Sequence, residues 1–147
     1  MDSVTFIKLK ASDADYLESA KTFGFTDGWS ANMVKKSFEN AGFQGYIAQI
    51  NGVNVGFITA TAVQDFADIE SVFTHPDYRK KGIAKGLVEI LEKDLKSQGV
   101  VKVLLEVRIT NKQATALYNS CGFTEISKRK KYYPDGEDAL VMEKELV

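Results

Sequence analysis

The chain has 147 residues, the size of one domain built around one sizeable core. Hydrophobic residues make up 44% of it and charged residues 27%, the balance of a globular chain and not of a disordered one. A formal net charge of -1 excludes the global basic field of a dedicated nucleic-acid binder, so any basic recognition must be local.

Cys121 is the only cysteine, which rules out an intrachain disulfide and suits a reducing compartment. With His75 as the only histidine, the chain cannot supply a standard zinc set, and no metal is expected. Met1-Asp2-Ser3-Val4-Thr5 lacks the basic-then-apolar order of a signal peptide, and no apolar run nears the roughly 18 residues of a membrane helix. The expectation is a cytoplasmic protein without membrane attachment. No repeat, low-complexity tract or linker divides the chain, so residues 1–147 read as a single domain.

Residues 4–9 read as a first strand. Ser12 and Asp13 offer caps for a helix running toward Lys21, and Ser30 a cap for a second helix toward Asn40. Between them lies Phe23-Gly24-Phe25-Thr26-Asp27-Gly28-Trp29, a loop whose three aromatics serve as packing anchors or as substrate contacts. Residues 45–50 and 53–61 flank Asn51-Gly52, a strong signal for a tight hairpin. Residues 67–74 form a further strand, closed by His75-Pro76.

There the period changes. Ile83, Leu87, Ile90, Leu91 and Leu95 recur at helical spacing through Lys96, and Gly99 lies just past the helix end. Val101, Val103, Leu105 and Val107 then share one face of a strand, leaving Lys102, Leu104 and Glu106 on the other. A short helix from about Asn111 carries Ala114, Leu117, Tyr118 and Cys121 on one stripe and ends at Gly122. Strands over residues 123–130 and 138–146 bracket a turn at Pro134-Asp135-Gly136. The order β-α-α-β-β-β-α-β-α-β-β predicts an α/β (α+β) fold, one mixed sheet with helices packed on it.

Four segments carry candidate chemistry. The first is Tyr78-Arg79-Lys80-Lys81-Gly82-Ile83-Ala84-Lys85-Gly86, at the start of the amphipathic helix. Backbone N–H groups at a helix start are unsatisfied, and the helix dipole adds positive charge there. Gly82 and the small Ala84 would admit a pyrophosphate, and four cations would add to its binding; the alternative is a solvated basic turn. The second is Glu106, on a strand otherwise rich in Val and Leu, either facing something polar or forming an edge-strand salt bridge. The third is Tyr118, which continues the apolar stripe of its helix and reads as a core tyrosine. The fourth is the run Lys128, Arg129, Lys130 and Lys131, a solvated face or a local contact for RNA or an acidic partner.

In this order and spacing, residues 69–142 resemble the GNAT acetyltransferase superfamily, in which an R/Q-x-x-G-x-G/A loop binds the pyrophosphate of acetyl-CoA. Three strings are similar to the ribosomal-protein-alanine (RimI-type) N-acetyltransferases within it. These are Leu105-Glu106-Val107-Arg108 with Asn111, Ala116-Leu117-Tyr118 with Gly122-Phe123, and Tyr132-Tyr133-Pro134-Asp135-Gly136-Glu137-Asp138-Ala139. The resemblance implies a GNAT fold, Glu106 as general base and Tyr118 as general acid. It implies Val72, Phe73 and Thr74 holding the pantetheine arm, with Arg79, Lys80, Lys81, Gly82, Ile83, Ala84 and Lys85 on the phosphates and Asn111 as a further cofactor contact. It also implies that Phe25, Trp29, Tyr132 and Tyr133 position the acceptor. Ala84 stands where glycine is commoner, and the proline usual in the substrate loop is absent.

The implied reaction is direct acetyl transfer from acetyl-CoA, in a ternary complex, to the α-amine at a protein N-terminus, with an N-terminal alanine of a small-subunit ribosomal protein as the leading acceptor. Backbone N–H groups near Phe73 and Thr74 would polarise the thioester oxygen. A glutamate's ordinary pKa of about 4.3 makes it a weak base at neutral pH, so an ordered water is the expected relay. Cys121 has no candidate base beside it in sequence and is not expected to act as a nucleophile. The alternatives are acetylation of a lysine or a small amine such as a polyamine, and a non-catalytic acyl-CoA-binding regulator. Nucleic acid is not an expected partner.

Overall fold

The computed structural model describes residues 3–25 and 28–146. Met1 and Asp2 of the N-terminal reading, and Thr26 and Asp27 of the aromatic loop, lie outside the described residues. The strands are β1 (Val4–Lys8), β2 (Phe43–Ile50), β3 (Val53–Val63), β4 (Phe66–Thr74), β5 (Lys102–Arg108), β6 (Thr124–Arg129) and β7 (Ala139–Glu145). The helices are α1 (Ala14–Ser19), α2 (Ala31–Ser37), α3 (Ile83–Ser97) and α4 (Lys112–Ser120).

All seven strands join one mixed sheet, ordered β1-β2-β3-β4-β5-β7-β6. The first four are antiparallel neighbours, and Asn51 and Gly52 turn β2 into β3 with φ of 52° and 77°, as a hairpin with positive φ at both corners requires. β5 joins β4 in parallel, a pairing that needs a crossover, which α3 supplies. β7 then inserts between β5 and β6 and is antiparallel to both.

Each face of the sheet has its own core. On one, Ile83, Leu87, Val88, Leu91 and Leu95 of α3 pack on Ala48, Val55, Ile58 and Ala60, with Tyr118 and Phe123 continuing the layer. On the other, Leu17 and Val34 of α1 and α2 cover Ile47, Phe57 and Phe73. Val103, Leu105 and Val107 enter the α3 side, so the alternation of β5 turns Glu106 and Arg108 to the opposite face. Among the described residues, no helix is long and apolar enough to cross a membrane.

The first two helices differ from expectation. Ser12 caps nothing; the Asp13 carboxylate accepts the Lys10 N–H at 2.8 Å, closing a 3-10 turn before α1. The helix gives way to a second 3-10 turn after Ser19, short of Lys21. Ser30 does cap α2, accepting the Met33 N–H at 3.1 Å, but the helix stops at Ser37 and not near Asn40. Local side-chain bonds compete there: Ser37 Oγ returns to the Met33 carbonyl, and Asn40 Oδ1 takes the Gly42 N–H, both at 2.9 Å. β6 begins at Thr124 because Phe123 still belongs to the end of α4, its N–H donating to the Tyr118 carbonyl at 2.9 Å across Gly122.

Candidate active site

The β4–β5 ladder runs from Phe66 opposite Lys102 to Ile69 opposite Leu105 and no further. Glu70 is an extra residue on β4, because Thr59 faces Ser71 while Ala60 faces Ile69, and such a bulge bends its strand. Past it, residues 70–74 of β4 and 106–108 of β5 leave a notch in the sheet. The His75 N–H donates to Val55 on β3 at 2.8 Å. Paired residues alternate in an antiparallel ladder, so the Phe73 amide also faces β3. The peptide groups of Val72 and Thr74 are the ones that face the notch, so of the two residues near which the donor was expected, Thr74 presents its N–H there and Phe73 does not.

Two cavities open onto this notch. One, of about 710 Å³, is lined by Asp68, Glu70, Glu106, Arg108, Arg129, Tyr132 and Tyr133 among others. The other, of about 640 Å³, is lined by Phe73, Thr74 and the loop from Tyr78 to Lys85 except Lys81, together with α4. Phe25, Val72, Asn111, Ala114 and Tyr118 line both, so the cavities meet beside Tyr118.

The second cavity is built to receive an anion. Gly82 is the N-cap of the 15-residue α3 and offers no side-chain cap, so the N–H groups of the first turn remain unbonded within the helix. Gly82 has a φ of 77° and Lys80 a φ of 63°, a left-handed kink that turns the loop around its own amides. Arg79 Nε donates to the Thr74 carbonyl at 3.3 Å, fixing one cation at the mouth. Lys80 and Lys85 line the cavity, whereas Lys81 turns to the Tyr78 ring, 5.5 Å from its centre. Thr74 Oγ1 is buried without a hydrogen-bond partner among the described residues, a polar atom at the notch with bonding capacity to spare.

The first cavity carries the candidate acid and base. Glu106 belongs to an interior strand, not to an edge, yet it does form a salt bridge: Arg129 Nη1 donates to its Oε1 at 3.2 Å. Tyr118 is 8% exposed, and burial, followed by the nearby Cys121 and Tyr133, pushes its hydroxyl well above the usual tyrosine range. It therefore stays protonated at neutral pH. Asn111 Oδ1 caps α4 by accepting the Ala114 N–H at 3.1 Å.

The loop between β6 and β7 is tied down at both ends. Arg108 Nη1 donates to Asp135 at 2.8 Å and to Glu137 at 3.0 Å. Glu137 also accepts from the backbone N–H and the hydroxyl of Thr110. The Arg108 guanidinium lies 4.1 Å from the Tyr133 ring centre and that of Arg129 4.7 Å from the Tyr132 ring centre, while the two rings meet edge to face at 5.1 Å. Phe25 lines both cavities and packs edge to face on Phe57 and at a tilt on Phe73, so it anchors the core and borders the site. Trp29 packs on Phe43, 5.7 Å between ring centres, and lines neither cavity.

Sequence reasoning missed Asp68 and Glu70, whose carboxyls burial raises above the ordinary range and which line the first cavity. The sequence offered only their alternation with the apolar Ala67 and Ile69; it is the register, with Asp68 opposite Leu104, that puts Asp68 on the sheet face of Glu106. Arg129 was read only as part of a cation run.

A sheet splayed beside an anion-binding helix start, with a carboxylate and a buried tyrosine at the split, is the architecture of the acyl-CoA-dependent N-acyltransferase class. Residues 13–123 match the Acetyltransferase (GNAT) family, and the chain belongs to it. The chain is 41% identical over 95 residues to the [ribosomal protein bS18]-alanine N-acetyltransferase of Escherichia coli strain K12; that match spans 63% of this chain and 64% of the relative, a little under two thirds. It is 26% identical to an N-alpha-acetyltransferase of Saccharolobus solfataricus, over 97% of this chain and 93% of the relative. The crystal structure of the ribosomal-protein-S18-alanine N-acetyltransferase from Escherichia coli superposes with a TM-score of 0.86 at 31% identity, covering 98% of this chain and 94% of that one.

Proposed function

We propose that this protein transfers the acetyl group of acetyl-CoA to the α-amine of a protein N-terminus, in a ternary complex, and that an N-terminal alanine of a ribosomal protein is its natural acceptor. The observation that carries the proposal is the meeting of the two cavities at Tyr118, with Glu106 on one side and the unbonded amides of α3 on the other. The names of the bacterial and archaeal relatives support the choice of an α-amine.

Bound acetyl-CoA would supply an acetyl group already activated as a thioester. Gly82, Ile83, Ala84 and Lys85 hold its phosphates through backbone N–H groups, with Arg79 and Lys80 adding charge. The peptide groups of Val72 and Thr74 hold the pantetheine arm, and one of their N–H groups polarises the thioester oxygen as negative charge develops there. Glu106 takes the proton of the attacking amine through an ordered water. Tyr118, at the meeting point of the two cavities, gives its hydroxyl proton to the departing sulfur.

Proton chemistry also favours the α-amine. With a pKa of about 7.7–8.0, roughly a quarter of it is neutral near pH 7.4. A lysine amine at about 10.4 is neutral there only to roughly one part in a thousand. The gap of about 2.5 units, near 3.4 kcal/mol, would have to come from a stronger base or from desolvation. A water-relayed carboxylate suits the easier task. Peptides beginning with alanine, incubated with labelled acetyl-CoA and read by mass spectrometry, should be modified on the terminal nitrogen. The same peptides with blocked N-termini and free lysines should be nearly inert, and equal rates on the two sets would replace the α-amine reading with a lysine one.

A further inference from the structure

Across β5, β7 and β6 the register sets Arg108 opposite Ala139, and Ala139 opposite Arg129. Two residues along, Glu106 faces Val141, and Val141 faces Ser127. Residues two apart in a strand share a face, so all six side chains lie on the face that borders the first cavity. Neighbouring strands lie about 4.8 Å apart, so β5 and β6 are separated by roughly twice that distance. Arg129 nevertheless places Nη1 3.2 Å from Glu106 Oε1. Its side chain must therefore pass over β7, and Ala139, with only a methyl group between the two arginines, leaves the crossing open.

The same guanidinium sits 4.7 Å from the centre of the Tyr132 ring. One side chain thus touches both the carboxylate at the notch and the first tyrosine of the hairpin. Glu106 Oε2 keeps no protein partner among the described residues, and Glu106 is one of the residues lining the first cavity. The side chains of Arg129 and Glu106 are 55% and 26% exposed, and an ion pair that wet adds little to stability. Its value lies in geometry.

We propose that Arg129 is a positioning residue for the acceptor step. It holds Glu106 and Tyr132 as one unit, so that the oxygen that accepts the proton and the ring that seats the acceptor are set at a fixed separation. The proposal rests on reading Glu106 as the proton acceptor and Tyr132 as a contact for the acceptor. A misplacement near 1 Å can cost on the order of a hundredfold in rate, so an unpinned carboxylate should support measurably slower turnover.

The test is steady-state kinetics on an alanine-initiated peptide with wild type, Arg129→Gln, Arg129→Lys, Glu106→Gln and the double variant Arg129→Gln/Glu106→Gln. Arg129→Gln should lower kcat by on the order of tenfold to a hundredfold and raise the peptide KM, while the KM for acetyl-CoA stays within about twofold. Arg129→Lys, which keeps the charge but not the planar fork, should recover part of the loss. In the Glu106→Gln background, Arg129→Gln should cost no further kcat, because a residue acting through Glu106 has nothing left to position. Equal losses in the two backgrounds, wild-type behaviour of Arg129→Gln, or an equal rise in the KM for acetyl-CoA would each overturn the proposal alone. Full turnover in Glu106→Gln would instead remove Glu106 as the proton acceptor, and this inference with it.

Discussion

Glu137 accepts a hydrogen bond from Arg108 at 3.0 Å, and this ion pair fastens the loop after β6 to the last residue of β5. The side chain and then the backbone N–H of Thr110, followed by Arg108, hold the Glu137 carboxyl below the usual range. A depressed folded-state pKa means that the stabilisation is present above the unfolded value, about 4.3, and is lost as pH falls through the folded one. The thermal midpoint of wild type should therefore exceed that of Glu137→Gln near neutral pH, and the gap should close as pH drops below about 4. A gap that persisted unchanged into stronger acid would mean that the carboxylate is not what ties the loop.

Gly82→Glu places a carboxylate at the start of α3, where the unbonded amides point. Apart from its chain neighbours, no heavy atom lies within 4 Å of a Cβ built at this glycine, so the cost of a Cβ there is that of the backbone conformation. Calorimetric titration should show acetyl-CoA affinity collapsing. The φ of 77° adds a backbone cost that Gly82→Ala isolates, about 1–2 kcal/mol in stability. Retained affinity in Gly82→Glu would disprove phosphate binding at this loop.

Glu106→Gln keeps the size of the side chain and removes its capacity as a base, and Tyr118→Phe removes a single hydroxyl. General acid–base groups are typically worth about 10²–10⁴-fold, so each change should lower kcat within that range. Binding of acetyl-CoA should weaken far less. Near-full turnover in both variants, with chemistry rate-limiting, would leave the two residues with a packing role only.

The leucine stripe of α3 holds the phosphate loop against the sheet. Leu91 is fully buried, and Leu91→Ala should cost about 2–5 kcal/mol in denaturant unfolding through the cavity it leaves. A loss under about 1 kcal/mol would imply that the helix re-seats itself on the strands below.

Much of this protein was legible in the residue order, because the physics involved is local. Asn51-Gly52 can turn a hairpin with little strain, the spacing of Ile83, Leu87, Leu91 and Leu95 makes one buried stripe, and alternation along β5 puts Glu106 opposite its apolar neighbours. The cation-rich loop ending in Gly82 and the tyrosine at 118 were likewise visible, as was the seven-strand mixed sheet. The ends of α1 and α2 were not, since side-chain bonds from Asp13, Ser37 and Asn40 decide them. Only the tertiary structure showed where β4 and β5 part, that β7 lies between β5 and β6, and that Arg129 crosses β7 to reach Glu106. It also placed Asp68 and Glu70 in the first cavity, and Trp29 against Phe43 away from both. The parting of β4 and β5 and the reach of Arg129 to Glu106 depend on register between paired strands, where a shift of one residue would turn every side chain to the other face.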